Sequence, residues 1–226
     1  MIRRHQLEKE QGLVKDSAPV VARLLEPLIR RKIAYEVNYF GYELRPRDSQ
    51  TLLDVGGPGL ITSTMEESFR LQTVVINLDE WRLRKVALDH PIWDRVQADA
   101  RLLPIRDKSV DFLLADNLIE HIPIESREKF ARECIRVSKS GIFLTTPNYW
   151  FPFEPHYFLP FHQYLPYSLK RLLSKYFSIG WVKRGFYVQI DLLTKRELLC
   201  LFPTAQVKVW KWTGLIVTIR LDINTH

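Results

Sequence analysis

The sequence predicts an α/β fold: a doubly wound, mostly parallel seven-stranded sheet with an antiparallel C-terminal hairpin and a helical N-terminal extension. Two observations predict it. From Thr51 onward, short apolar runs alternate with amphipathic segments, the order that builds a parallel sheet with helices on its faces. The runs are also apolar throughout, as strands buried on both sides are.

The elements follow in chain order. Val20, Val21, Leu24, Leu25, Leu28 and Ile29 recur at helical spacing, with Arg23, Arg30 and Arg31 between them. The polar run from Arg45 to Gln50 ends that helical region. Residues 1–50 are therefore read as an extension and 51–226 as the main domain. Strands are expected at 51–55, 74–78, 96–98, 112–115 and 142–146, and helices near 61–70, 81–88 and 126–137. Residues 148–166 are rich in proline and aromatics, which argues against regular helix or central strand. Residues 167–177 are amphipathic: Leu169, Leu172, Leu173 and Tyr176 share a face, and Lys170, Arg171 and Lys175 lie mostly off it. Residues 148–190 are read together as an insert covering the substrate side. A helix near 194–201 and strands at 207–212 and 215–221 close the chain, with Thr213-Gly214 as the turn.

Composition narrows the class. A chain of 226 residues, 46% hydrophobic, buries a full core without disulfide or metal staples. Cys134 and Cys200 are far apart and outside any C-x-x-C pair, which argues against a structural zinc site and fits a reducing cytoplasm. No apolar stretch reaches the ~18–20 residues of a bilayer span, and no apolar h-region follows the first residues. A net charge of +7 suits an anionic partner such as nucleic acid, lipid or substrate. The basic residues are dispersed and no RNA-binding module is visible.

Four features fall at predicted strand ends. Asp54-Val55-Gly56-Gly57-Pro58-Gly59 follows the first strand and opens a helix; glycines there permit tight turning and close approach of a ligand to backbone. Asn77-Leu78-Asp79-Glu80 ends the second strand. Asp79 is placed to accept from ribose hydroxyls, or to cap the next helix. Gln97-Ala98-Asp99-Ala100 ends the third, where a carboxylate beside a small residue suits an adenine amino group. Asp116-Asn117-Leu118-Ile119-Glu120-His121 follows the fourth. In open α/β sheets ligands bind beyond the carboxyl ends of strands, so the four converge on one crevice.

These segments, with Leu103-Pro104-Ile105 and Ser109-Val110-Asp111 between them, resemble the class I S-adenosylmethionine-dependent methyltransferases, in particular the type 11 group. The resemblance covers about residues 51–147. It implies a Rossmann-like sheet, S-adenosylmethionine as cofactor, and a methyl acceptor that is a small molecule or a saccharide- or lipid-linked precursor. It also implies that Asp54, Gly56, Gly57 and Gly59 surround the methionine part, that Asp79 holds the ribose, and that Asp99 and Ala100 hold the adenine. Asn117 would then lie on the sulfonium side. Pro58 stands where the family places a second glycine, and proline offers no N–H.

On the acceptor side, His121 and His156 are the expected general bases, with Glu154, His156 and Tyr157 as substrate contacts. Tyr149, Trp150 and Phe151 are read as packing. No cluster along the sequence suggests a catalytic metal. Alternatives are RNA methylation, or a non-catalytic cofactor-binding scaffold at a membrane surface, for which the basic amphipathic segment is suited.

Overall fold

The computed structural model describes residues 26–57, 60–154, 156–157, 159–177, 189–210 and 215–221. Its helices are α1 (Glu26–Leu44), α2 (Leu60–Phe69), α3 (Glu80–Asp89), α4 (Arg127–Val137), α5 (Tyr167–Tyr176) and α6 (Lys195–Leu201). The main sheet contains β1 (Thr51–Val55), β2 (Gln72–Asn77), β3 (Asp94–Gln97), β4 (Val110–Asp116), β5 (Ser138–Pro147), β8 (Ala205–Trp210) and β9 (Leu215–Leu221). A separate two-stranded ribbon pairs β6 (Phe153–Glu154) with β7 (Leu159–Pro160).

The sheet order is β3-β2-β1-β4-β5-β9-β8. The first five strands are mutually parallel, and β9 joins antiparallel to both β5 and β8. The expected strands are all present. β2 and β3 begin two residues earlier than predicted, and β4 and β5 extend beyond the predicted runs at both ends. Pro58 and Gly59, the turn residues Thr213 and Gly214, and the apolar positions Val20 to Leu25 lie outside the described residues.

Strand alternation sorts side chains onto two faces. Leu52, Phe112, Leu114 and Phe143 face α1 and α2, and Leu53, Val55, Leu113, Ala115, Ile142 and Leu144 face α4 and α6. Helix α1 meets its face with Ile29, Ile33, Val37, Phe40 and Leu44, a stripe at three- and four-residue spacing. The helix stops before Arg45, whose φ is +46° and which precedes a proline that disfavours helical geometry. Helix α1 thus covers the same sheet that the rest of the domain builds. On the other face, Phe130, Ala131 and Cys134 of α4 pack with Leu198 of α6 and with Phe202. The thiol of Cys134 is buried and that of Cys200 exposed.

In the insert, proline keeps to edges. Pro160 sits in the two-residue ribbon, where a missing N–H costs little. Tyr149, Tyr157, Leu159, Ile190 and Leu192 form a small core of their own. Trp150, expected to pack, is instead exposed. The ends of the insert are tied side by side: Asn148 bridges Leu193, and the Tyr149 amide donates to the Leu193 carbonyl at 3.0 Å. Among the described residues, no helix is long and apolar enough to cross a membrane.

Phe40 is fully buried, with its ring 5.4–5.7 Å from those of Phe69, Phe112 and Phe143. Truncating such a side chain removes buried surface and leaves a cavity. Phe40→Ala is expected to lower stability by about 3–5 kcal/mol, read from denaturant midpoints. A loss below about 1 kcal/mol would mean that α1 contributes little to this core.

Candidate functional site at the strand ends

Because β1 to β5 run parallel, their carboxyl ends share one edge, and Asp54, Gly56, Gly57, Asp79, Asp99, Ala100 and Asn117 lie in or just after those strand ends. Asp54 lies one residue before the end of β1, on the face that meets α2. It is buried, and the Thr62 hydroxyl of α2 donates to its Oδ2 at 2.7 Å. The Gly57 amide donates to the same carboxylate. A Cβ on Gly57 would fall 1.8 Å from Asp54 Oδ2, so the carboxylate fills the space that any side chain would need. Gly56 adopts φ +92° and would meet Leu118 at 2.8 Å; it is glycine both for its backbone angle and for this close approach.

Asn77, at the end of β2, fixes the loop from the other side. Its Nδ2 donates to the carbonyls of Gly56 and Gly57 at 2.9 and 2.7 Å, and its Oδ1 accepts from the Asp79 amide at 2.9 Å. Asp79 caps α3, accepting from the Trp81 amide at 2.9 Å. Asp99 accepts from the Arg101 guanidinium through both oxygens, at 2.9 and 2.6 Å. Those hydrogen bonds hold its carboxyl below the usual range. Ala100 follows it, half-buried.

At the end of β4, Asn117 takes φ +50°, a left-handed turn that asparagine tolerates. Its amide donates to the Thr145 carbonyl at 3.1 Å and its side chain to Asp116 Oδ1 at 2.9 Å. The Thr145 hydroxyl also donates to Asp116 Oδ1. A short 3₁₀ turn, Ile119–His121, follows. Its Glu120 is buried, with Oε2 accepting from the Thr146 hydroxyl at 2.9 Å. His121 is exposed, and the ring of His156 comes from the insert to lie edge-on at 4.9 Å.

The insert departs from expectation at Tyr157. That residue is fully buried against Ile190 and Leu192 and stands 4.6 Å from the His162 ring. It contributes to the packing of the insert. Glu154 lies in β6, and nothing further is described for it. The turn carrying Glu120 and His121 is braced by the returning chain. The Asp191 amide donates to the Glu120 carbonyl at 3.0 Å, and Arg127 donates to the carbonyls of Ile122 and Asp191.

Carboxylates concentrate beneath this edge. Burial pushes Asp54 up to about 7, against the hydrogen bonds from Thr62 and Gly57, and nearby Asp116 adds to the rise. Burial also pushes Glu36 of α1 up to about 7, with Lys32 opposing and Asp116 reinforcing. Lys32 Nζ lies 3.0 Å from Glu36 Oε1. Glu120 is raised to about 7 by burial, opposed by His156. Sequence reasoning named neither Glu36 nor Thr62 nor the side-chain role of Asn77. Asn77 alone carried a signal, an amide at a strand end beside a glycine loop.

The geometry is that of an open, Rossmann-like α/β domain: five parallel strands with an antiparallel pair beyond β5, and a glycine loop after β1. Comparison with known proteins finds similarity to methyltransferases over part of the chain. The methyltransferase domain family of type 11 matches residues 53–145. A Mycobacterium tuberculosis protein named a probable S-adenosylmethionine-dependent methyltransferase is 35% identical over 79 residues. That match spans 34% of this chain and 28% of the relative's length. Among solved structures, a protein of Pyrococcus horikoshii superposes with a TM-score of 0.61 at 14% identity, over 84% of this chain and 89% of the other. A phosphoethanolamine N-methyltransferase of Haemonchus contortus, solved with S-adenosyl-L-methionine, superposes with a TM-score of 0.56 at 17% identity, over 79% of this chain and 38% of the other. These superpositions show the shared fold.

The buried carboxylate gives a pH prediction for the cofactor-free protein. Asp54 binds its proton more tightly folded, at about 7, than unfolded, near its ordinary 3.8. The stability linked to that proton is present below the unfolded value and is lost as pH rises through the folded one. Unfolding free energy is therefore expected to fall between about pH 4 and 7 and to level above. Asp54→Asn is expected to flatten this slope in denaturant melts, and an unchanged slope in a folded variant would refute the assignment.

Proposed function

We propose that this chain transfers a methyl group from S-adenosylmethionine to a small-molecule or saccharide-containing precursor acceptor. The observation that carries this reading is the loop Gly56-Gly57, held between buried Asp54 and the Asn77 amide at the edge where the parallel strands end. Residues fit the cofactor by their chemistry. Asp54, Asp116, Glu36 and Glu120 gather four carboxyl groups beneath the site, and a ligand carrying a sulfonium and an ammonium would favour their ionised forms. Asp54, Gly56, Gly57 and Gly59 are assigned to the methionine part, Asp79 to the ribose, Asp99 and Ala100 to the adenine, and Asn117 to the sulfonium side. Capping α3 occupies one Asp79 oxygen and leaves the other for a ribose hydroxyl. Arg101 competes for Asp99, so an adenine amino group must share that carboxylate.

Bound S-adenosylmethionine supplies a methyl carbon already activated by its sulfonium. The protein's part is to hold the acceptor in line and to exclude water. Glu154 and His156 of the insert are assigned to the acceptor. For a hydroxyl acceptor, His121 or His156 would take the proton. The two distant unpaired cysteines support a cytoplasmic setting.

Calorimetric titration with S-adenosylmethionine tests the reading, with NAD as control. We expect binding of the sulfonium compound alone. Asp79→Ala should cost on the order of 1.5–3 kcal/mol of affinity, the range for a hydrogen bond to a charged group. Gly57→Ala should remove binding, since its methyl displaces the Asp54 carboxylate. No binding at millimolar concentration would sink the enzyme reading.

One further reading rests on α5. Tyr167, Leu172 and Tyr176 are exposed there, with Phe177 just past its end, on a helix that also carries Lys170 and Arg171. Such a helix suits an anionic lipid surface and would bring a lipid-linked acceptor to the site. Co-sedimentation with vesicles of anionic phospholipid is the test. Binding should weaken with salt and fall at least fivefold in Leu172→Glu; equal recovery with neutral vesicles would refute it.

A further inference from the structure

Glu120, His121 and His156 bring one carboxylate and two imidazoles together from two distant parts of the chain. Their ligand atoms lie within 4.8 Å of one another. We propose that they form a binding site for a divalent transition-metal ion of the zinc class. Two observations carry this. The first is the donor set itself. Two histidines and one carboxylate suit zinc, cobalt or nickel, and three protein ligands leave a position open for another oxygen. The second is Glu120, which is 1% exposed and has a side-chain oxygen, Oε1, with no hydrogen-bond partner among the described residues. A buried carboxylate oxygen without a partner is costly, and a bound cation supplies what it lacks.

The backbone around these residues is held in place. The His121 amide donates to the Leu118 carbonyl at 3.0 Å, closing the 3₁₀ turn. The Glu120 carbonyl is anchored by the Asp191 amide, and its Oε2 by the Thr146 hydroxyl. Adjacent residues on a tight turn thus present two donors, and the insert brings the third. Ligands about 2.0–2.2 Å from one metal stand about 3.3 Å apart in a tetrahedron. Binding a metal would close the present spacing through side-chain rotation, and His121 is exposed.

On the methyl-transfer reading, on which this consequence rests, the open position would take an acceptor hydroxyl. A metal lowers the pKa of a bound hydroxyl. Its proton leaves to solvent, the oxygen forms the new bond to the methyl carbon, and the carbon–sulfur bond breaks with its electron pair kept by sulfur. The two histidines would then be ligands and not bases.

The test uses the full, untagged chain, stripped with a chelator and titrated with Zn²⁺ by calorimetry and with Co²⁺ by visible absorption. We expect one ion per chain at micromolar affinity or tighter, and Co²⁺ bands of a low-coordinate site. His121→Ala and His156→Ala should each weaken Zn²⁺ binding at least tenfold while keeping the circular dichroism of the parent. No binding, or binding unchanged in both variants, would overturn the site and leave a simple Glu120–His156 pair. S-adenosylmethionine titrated into the same stripped protein separates the two claims. Cofactor binding without metal binding overturns the metal site alone. Metal binding without cofactor binding sustains the site and overturns methyl transfer.

Discussion

The buried carboxylate of Asp54 is the constraint around which this site is arranged. It lies under the loop that follows β1 and ties that loop to α2 through Thr62. It also occupies the volume that a side chain at residue 57 would need. Asn77 completes the clamp from β2 by holding two loop carbonyls. The loop is thus fixed by side chains from its own strand and the neighbouring one. Its backbone at Gly56 and Gly57 is held by these hydrogen bonds without a ligand, and preorganisation of that kind spares the ordering cost on binding.

Much of this was legible in the sequence because hydrophobic period is a strong signal. Runs such as 51–55 and 142–146 announce themselves as buried strands, and the elements between them as helices. Asp79 shows why site roles are harder. Its position fits both ribose binding and helix capping, and the structure shows the cap. Asp99 carries a partner two residues away that spacing did not flag. Tyr157 follows His156 in the aromatic insert and in sequence reads with it as an acceptor contact, yet a fold within the insert buries it.

The features that sequence reading missed are those made by long-range closure. Glu36 comes from a helix outside the region the family resemblance covers, and only the packing of α1 on the sheet brings it near Asp116. His121 and His156 are far apart in the chain, and no local spacing rule joins them. Their meeting depends on the path of the insert. The buried Glu120 oxygen without a hydrogen-bond partner among the described residues is likewise a property of the folded environment.

The paired ends of the insert have a consequence for how such a domain can vary. The chain leaves the sheet at Asn148 and comes back at Leu193, and the two positions touch. Whatever lies between them is a closed excursion whose length and content do not alter the distance its ends must span. The sheet and the loop over Asp54 stay as they are when that excursion changes. On the proposed reading, in which the insert meets the acceptor and the loop over Asp54 the cofactor, the two tasks fall to separable parts of one chain, and one could be rewritten by loop exchange while the other is inherited whole.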